Sequence, residues 1–170
     1  MTWGIPTTLF LQIHVVLSLI GIATGLVMLA GMLTGRHLAV WAALFLVTTF
    51  LTGVTGFPLP PFGLDPPRII GIILLALLTA AAAALYVFAL SGWWRRVYVV
   101  AALLSLYLNV FVAVVQSFQK IGVLNALAPT QSELPFAVAQ LVTLALFIAL
   151  GIFSWRRFTP GAAAPRASLV

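Results

Sequence analysis

Five long runs of uncharged, mostly apolar residues divide this chain of 170 residues, and they constrain its fold more than any other feature. The hydrocarbon core of a bilayer is about 30 Å thick, and a helix crosses it in about 20 residues. The sequence therefore predicts an all-α integral membrane protein: a single domain, residues 1–158, containing five transmembrane helices. The predicted spans are residues 8–33, 38–57, 69–90, 97–118 and 135–155.

The composition shows which surroundings this chain requires. Hydrophobic residues make up 64% of the sequence and charged residues only 6%, which is too little charge to coat a water-soluble surface. The lipid bilayer is therefore the expected partner of most of the protein surface. Basic residues occur singly or in pairs, so no stripe tracks a phosphate backbone and nucleic acid is not an expected partner. The chain has no cysteine, which excludes thiolate catalysis and cysteine metal sites.

The basic residues between the spans predict how the protein is oriented. Five spans place six basic residues on one side, and two basic residues with both acids on the other. The first side carries Arg36, Arg95, Arg96, Arg156, Arg157 and Arg166, and the second carries Arg68, Lys120, Asp65 and Glu133. The positive-inside rule then places the N-terminus outside and the C-terminus in the cytoplasm. The Ala- and Pro-rich residues 159–170 are predicted to be a disordered cytoplasmic tail.

Two further features of the sequence indicate where the protein resides. Seven arginines to one lysine, with abundant alanine, are typical of a GC-rich bacterial genome and favour the bacterial inner membrane. The first apolar run is too long for the h-region of a cleaved signal peptide and has no basic residue before it, so we expect a permanent helix.

Polar residues inside the predicted helices are the best candidates for a functional site, because polar groups are costly in lipid and usually face the bundle interior. They form stripes at helical spacing, and the predicted orientation places most of them in the outer half of the membrane. We expect them to line a cavity for a small, lipid-like molecule with a polar end, and His14 and Gln116 to belong to one cluster. The candidate ligand-binding residues are His14, Ser18, Thr52, Thr55, Asn109, Gln116 and Gln140. The alternative is that these groups only hydrogen-bond across helices to hold the bundle together.

Small residues and histidines in the first helix suggest further possibilities. Gly21 and Gly25 have a small-xxx-small spacing, which allows close packing either within one chain or between subunits of a homo-oligomer. His14 and His37 lie 23 residues apart, about 34 Å along a continuous helix. They cannot ligate one haem iron within a chain, so a haem at His14 would require a methionine or another subunit as second ligand. No cofactor is predicted in the leading interpretation.

The stretch from His14 to Gly56 also supports a resemblance. It contains Gly21 and Gly25, the step from Arg36 to His37, and a second helix that ends with Thr-Gly-Val-Thr-Gly at residues 52–56. This pattern resembles uncharacterised bacterial multi-spanning inner-membrane proteins, which look loosely like b-type cytochrome helix bundles. The resemblance implies a helical bundle and a membrane redox or haem-binding activity with His14 as a ligand.

The sequence contains few residues that could act in catalysis. Asp65 and Glu133 are the only acids, and both lie in predicted outer loops, so no carboxylate pair can be assembled within the membrane. We therefore expect a binding protein more than an enzyme, acting on a lipid-like small molecule or on a partner membrane protein. The connection at residues 119–134 mixes apolar and polar residues, which predicts a short interfacial helix, and the alternative is an ordered loop with no special role.

Overall fold

The computed structural model describes residues 1–59 and 66–159. Within these residues the elements are α1 (Thr7–Leu33), α2 (Ala39–Gly56), α3 (Pro66–Ala82), α4 (Trp94–Lys120), α5 (Gly122–Leu127) and α6 (Leu134–Arg157). All but α5 are long and apolar enough to cross a membrane, α3 being extended to Val87 by a wider turn. The all-α prediction with five transmembrane helices is confirmed, and the chain is a multi-pass helical membrane protein.

The third spanning helix differs most from its predicted bounds. It begins at Pro66, before the predicted start at residue 69, because proline is tolerated in the first turn of a helix, where its missing N–H leaves no bond unmade. It closes with a π-helical turn, Ala83–Val87, in which the N–H of Phe88 donates to the carbonyl of Ala83 at 3.0 Å. The next two residues have positive φ angles, and this ends the helix before the predicted residue 90. Asp65 and residues 160–170 of the predicted tail lie outside the described residues.

A tight turn joins α1 to α2. Gly35 has a φ of +73°, a left-handed conformation that glycine adopts without steric cost. The N–H of Arg36 donates to the carbonyl of Gly31 at 2.8 Å, and that of Gly35 to Met32 at 3.1 Å. These two hydrogen bonds form a Schellman motif, which satisfies the last carbonyls of α1 and reverses the direction of the chain.

Helix α4 lies at the centre of the bundle and packs against α1, α3 and α6, while α2 packs between α1 and α3. Its buried face includes Tyr98, Ala102 and Leu106, none of which exposes any surface. These side chains meet Met28 of α1 and Phe45 of α2 in the main hydrophobic core. The hydroxyl of Tyr98 donates to the sulfur of Met28 at 3.4 Å, so this buried phenol keeps a partner.

Helix α6 is peripheral. It packs along α4 through ring contacts of Phe147 with Tyr107 and of Phe136 with Phe118. Only Phe147 and Ser154 of this helix are buried, and its remaining apolar side chains are exposed or half-buried. Apolar exposure of this extent suits a helix that faces lipid on most sides.

Five of the six described arginines gather at one end of the bundle, which we call the basic end, whereas Arg68 at the start of α3 lies at the other end. At the basic end the α1–α2 turn, the start of α4 and the end of α6 meet: Arg95 donates to the carbonyl of Phe158 at 2.7 Å, and the carbonyl of Arg157 lies beside Gly35. The other end, which holds the start of α1, the end of α2 and helix α5, is called the opposite end. Helix α5 is the short helix expected between residues 119 and 134. Which end faces the cytoplasm stays a prediction.

Candidate functional site

Polar side chains from α1, α2 and α4 meet between these helices in the half of the bundle nearer the opposite end. We call this group the polar seam and define it as His14, Ser18, Thr49, Thr55 and Asn109. The seam follows one face of α1, because His14, Ser18 and Gly21 are spaced at i, i+4 and i+7. It ends at Gly25, where Phe45 and Leu106 close the space with apolar atoms.

His14 and Thr55 form the outermost pair of the polar seam. The Nδ1 atom of His14 lies 2.9 Å from Oγ1 of Thr55. That hydroxyl has a single hydrogen and also lies 2.7 Å from the carbonyl of Leu51, so both bonds are made only when Thr55 donates to Leu51 and accepts from His14. A neutral His14 therefore carries its proton on Nδ1, and Nε2 keeps its lone pair.

The free nitrogen of His14 is open to a ligand. Nε2 has no hydrogen-bond partner among the described residues, and it is not fully buried because the ring is only half-buried. Nε2 of His37, in contrast, is both unpaired and buried. Gly56 faces the ring edge, and a Cβ there would lie 3.5 Å from Cε1. The atom of the seam that is best placed to meet an incoming hydrogen-bond donor is therefore Nε2.

Ser18 and Asn109 form the second pair, deeper in the bundle. The hydroxyl of Ser18 donates to Oδ1 of Asn109 at 2.9 Å, and Nδ2 of Asn109 lies 3.5 Å from the carbonyl of Ser18. Asn109 is only 4% exposed. Because a buried amide that lost its partner would pay its full desolvation cost, this pair ties α1 to α4.

Thr49 is a polar residue of the seam that sequence reasoning missed. Its hydroxyl is completely buried and has no hydrogen-bond partner among the described residues. It lies against Gly21, where an added Cβ would be 2.7 Å from Oγ1 of Thr49 and 3.2 Å from Nδ2 of Asn109. Thr49 shares the buried face of α2 with Phe45 and Thr52, at helical spacing, and this spacing could have identified it.

The remaining candidate residues do not join these pairs. Thr52 is buried and donates to the carbonyl of Thr48 at 2.9 Å, within its own helix. Gln140 belongs to α6 and faces α4 on the side away from the seam. Its Nε2 donates to the carbonyl of Phe111 of α4 at 3.3 Å, and its Oε1 is buried without a partner among the described residues. Gln116 is half-buried, with no hydrogen-bond partner in the described structure and no hydrogen bond to His14.

The possibilities for holding a metal or cofactor are narrow. No group of three His, Asp or Glu side chains occurs among the described residues. His37 lies at the basic end, with its ring 6.2 Å from that of Tyr98 and 6.4 Å from that of Phe158, and burial lowers the pKa of its imidazole. His14 therefore lies near the start of α1, and His37 lies beyond its other end, in the turn to α2. Met28 and Met32 are buried in the core near the basic end, so neither can reach an iron held by His14.

Comparison with known proteins adds no identity. No protein-family model matches the chain, and neither a curated protein nor a solved structure shows detectable similarity to it.

Proposed function

We propose that this protein is a membrane-embedded binding protein that holds the polar end of a small, lipid-like molecule at the outer part of the polar seam. The observation that carries the proposal is the fixed tautomer of His14. Thr55 holds the proton on Nδ1, which leaves Nε2 as an oriented, unpaired acceptor in a largely apolar surface.

This arrangement selects the kind of polar group that binds. An imidazole lone pair accepts a hydrogen bond, so the ligand presents a hydroxyl or an N–H group. Gln116 lies in α4 near the opposite end of the bundle, and its unpaired amide can both donate and accept a hydrogen bond. Leu9, Leu11 and Val16 expose apolar surface on α1 nearby, so the rest of the ligand remains in contact with the hydrocarbon.

The proposal is tested by weighing what the purified protein retains. Native mass spectrometry after release from lipid nanodiscs is expected to show a co-purifying small molecule on the wild-type protein. His14→Leu should abolish its retention, because the acceptor is lost, and Thr55→Val should weaken it, because the imidazole is no longer held in one tautomer. His37→Leu is the matched control, since it removes an imidazole from the basic end. Equal retention by His14→Leu and wild type would contradict the proposal.

A haem or redox function is the second candidate, and the same pair of residues supports it. Histidines that ligate a metal usually donate their other ring N–H to a neighbouring acceptor, as His14 does to Thr55. His37, Met28 and Met32 lie towards the basic end, so none of these three can supply the second axial ligand. An absorption spectrum after expression with sufficient haem decides the matter: a Soret band that disappears in His14→Leu supports haem, and its absence from the wild type removes this function.

We also propose that the protein lies in the inner membrane of a bacterium, with the basic end in the cytoplasm. The six basic residues on one side, against two on the other, support this orientation. A C-terminal alkaline phosphatase fusion should be inactive, and a C-terminal green fluorescent protein fusion should fluoresce. The opposite result would reverse the orientation.

The exposed apolar surface of α6 also suits a second copy or a partner membrane protein, and native mass spectrometry would reveal either of them by its added mass.

A further inference from the structure

Two apolar grooves lie side by side and reach the basic end of the bundle. The larger, of about 580 Å³, runs between α4 and α6 and is lined by side chains such as Leu103, Phe147 and Ile152. The smaller, of about 330 Å³, lies between α3 and α4 and is lined by Leu77, Ala80 and Val97 among others. Trp155 and Val100 line both grooves, so the indole of Trp155 stands between them.

An arginine stands at the basic end of each groove. Arg156 lines the larger groove and Arg96 the smaller one. The guanidinium of Arg96 lies over two indole rings, 5.0 Å from the centre of Trp93 and 5.2 Å from that of Trp155. These two cation–π contacts fix the position of the guanidinium, whose N–H groups donate to no described residue and are available to an anion.

Positive charge at this end has no counter-ion within the described chain. Arg95, Arg96, Arg156 and Arg157 lie close together, and none of them forms an ion pair with a described residue. The one described acid, Glu133, precedes the start of α6 at the opposite end. Two indoles, exposed by 63% for Trp93 and 39% for Trp155, mark this level as the boundary between hydrocarbon and headgroups.

We infer that the two grooves hold the acyl chains of one anionic diacyl phospholipid, one chain on each side of Trp155, with its phosphodiester bound by Arg96 and Arg156. Three observations favour this occupant. The walls are apolar, the two grooves adjoin at Trp155 and Val100 as two acyl chains adjoin at one glycerol, and each groove has a cation at the level of the headgroup. Basic pockets between helices at a membrane surface bind anionic headgroups for the same reasons.

The length of the larger groove also suits an acyl chain. It extends along α4 from Val99 to Tyr107, about 12 Å at the rise of an α-helix. Gly151 lines it from α6, and a Cβ there would approach only Cδ1 of Leu103, at 3.8 Å. The absence of a side chain at this position keeps the groove open for the part of the chain nearest the headgroup.

The wild-type protein alone can test the inference. Reconstituted in nanodiscs of equal parts phosphatidylglycerol and phosphatidylcholine and then released for native mass spectrometry, it should retain one phosphatidylglycerol per chain in preference to phosphatidylcholine. Equal retention of the two lipids, or a retained mass that is only a second copy of the protein, would overturn the proposal.

Variants then separate the groove from surface charge. The double variant Arg96→Gln and Arg156→Gln should lower the preference for phosphatidylglycerol about tenfold or more. The control, Arg36→Gln with Arg157→Gln, removes the same charge from the same end and should change the preference much less. Gly151→Leu keeps every charge but fills the larger groove, and it should lower retention as well. If both double variants lower the preference equally, the lipid is held only by surface charge. The same conclusion follows if Gly151→Leu unfolds at the wild-type temperature and retains as much lipid as wild type, because the grooves then do not bind it.

Discussion

The two halves of the bundle are held together by different kinds of contact. Near the basic end, Met28, Phe45, Tyr98 and Leu106 fill the space between α1, α2 and α4, each 2% exposed or less. Nearer the opposite end, the same three helices meet through hydrogen bonds of the polar seam.

This difference shows how a membrane bundle can combine stability with binding. Lipid tails are as apolar as leucine, so helices associate through close packing and hydrogen bonds and gain little from apolar burial itself. Closely packed apolar side chains contact only one another and leave no group for a ligand. A polar pair such as His14 and Thr55 can leave one atom free to bind a ligand. We therefore expect the basic half to determine the stability of the bundle and the seam half to determine what it binds.

The largest effect is expected from Gly25→Ala, in the packed half. The new Cβ would lie 2.6 Å from Cδ1 of Leu106 and 2.8 Å from Cδ2 of Phe45, distances at which side chains must shift. Overpacking of this kind should lower the free energy of unfolding by about 1 to 3 kcal/mol, although alanine has the higher helix propensity. Unfolding by denaturant in mixed micelles measures the change. Gly122→Ala is the control, because nothing lies within 4 Å of its new Cβ, and equal stability of the two variants would show that the basic half is loosely packed.

A smaller effect is expected in the polar seam. In a double-mutant cycle, His14→Ala and Thr55→Ala should show a coupling free energy of about 0.6 kcal/mol, the average for hydrogen bonds between membrane helices. A second cycle with His14→Ala and Gln116→Ala should give a value near zero, because the structure shows no hydrogen bond between these residues. The sequence predicts that His14 and Gln116 form one cluster, and this cycle tests whether they are coupled without a hydrogen bond between them. Stronger coupling in the second cycle than in the first would mean that the seam is arranged differently.

The smallest effect is a pH dependence at the basic end. Burial lowers the pKa of His37, so the unfolded chain takes up a proton before the folded protein does. Stability should therefore be constant above the ordinary histidine pKa of about 6.5 and should fall as the pH drops below it, towards the lowered pKa of the folded state. Unfolding measured from about pH 8 to about pH 5 tests this, and His37→Phe should reduce the dependence. A fall of the same size in His37→Phe would assign it to another group.

Several features could be predicted from the sequence because they depend on one helix at a time. The five spans follow from the length of the apolar runs, and the gathering of arginines at one end follows from their positions between those runs. The faces of His14 and Ser18 on α1, and of Asn109 on α4, follow from helical periodicity. Intrachain packing of Gly21 and Gly25 was one of two alternatives, and the structure places atoms of α2 and α4 against both glycines.

Other features could not be predicted, because they depend on how helices are rotated and shifted against one another. Periodicity places a residue on a face but does not choose the residue opposite it, so the pairing of His14 with Thr55 was beyond reach. The same holds for Gln140, which has the right depth but lies on the far side of α4. Thr49 went unnoticed because its importance comes from its approach to Gly21 on another helix.

The sequence by itself therefore determined that this chain is a five-helix membrane protein, since the cost of placing backbone and charge in hydrocarbon acts on each segment separately. Only the tertiary structure decided which polar groups meet, where the grooves beside Trp155 open, and which nitrogen of His14 is free. These properties arise from contacts a few ångströms long between distant parts of the chain, and a helix turned by one residue would have made different ones.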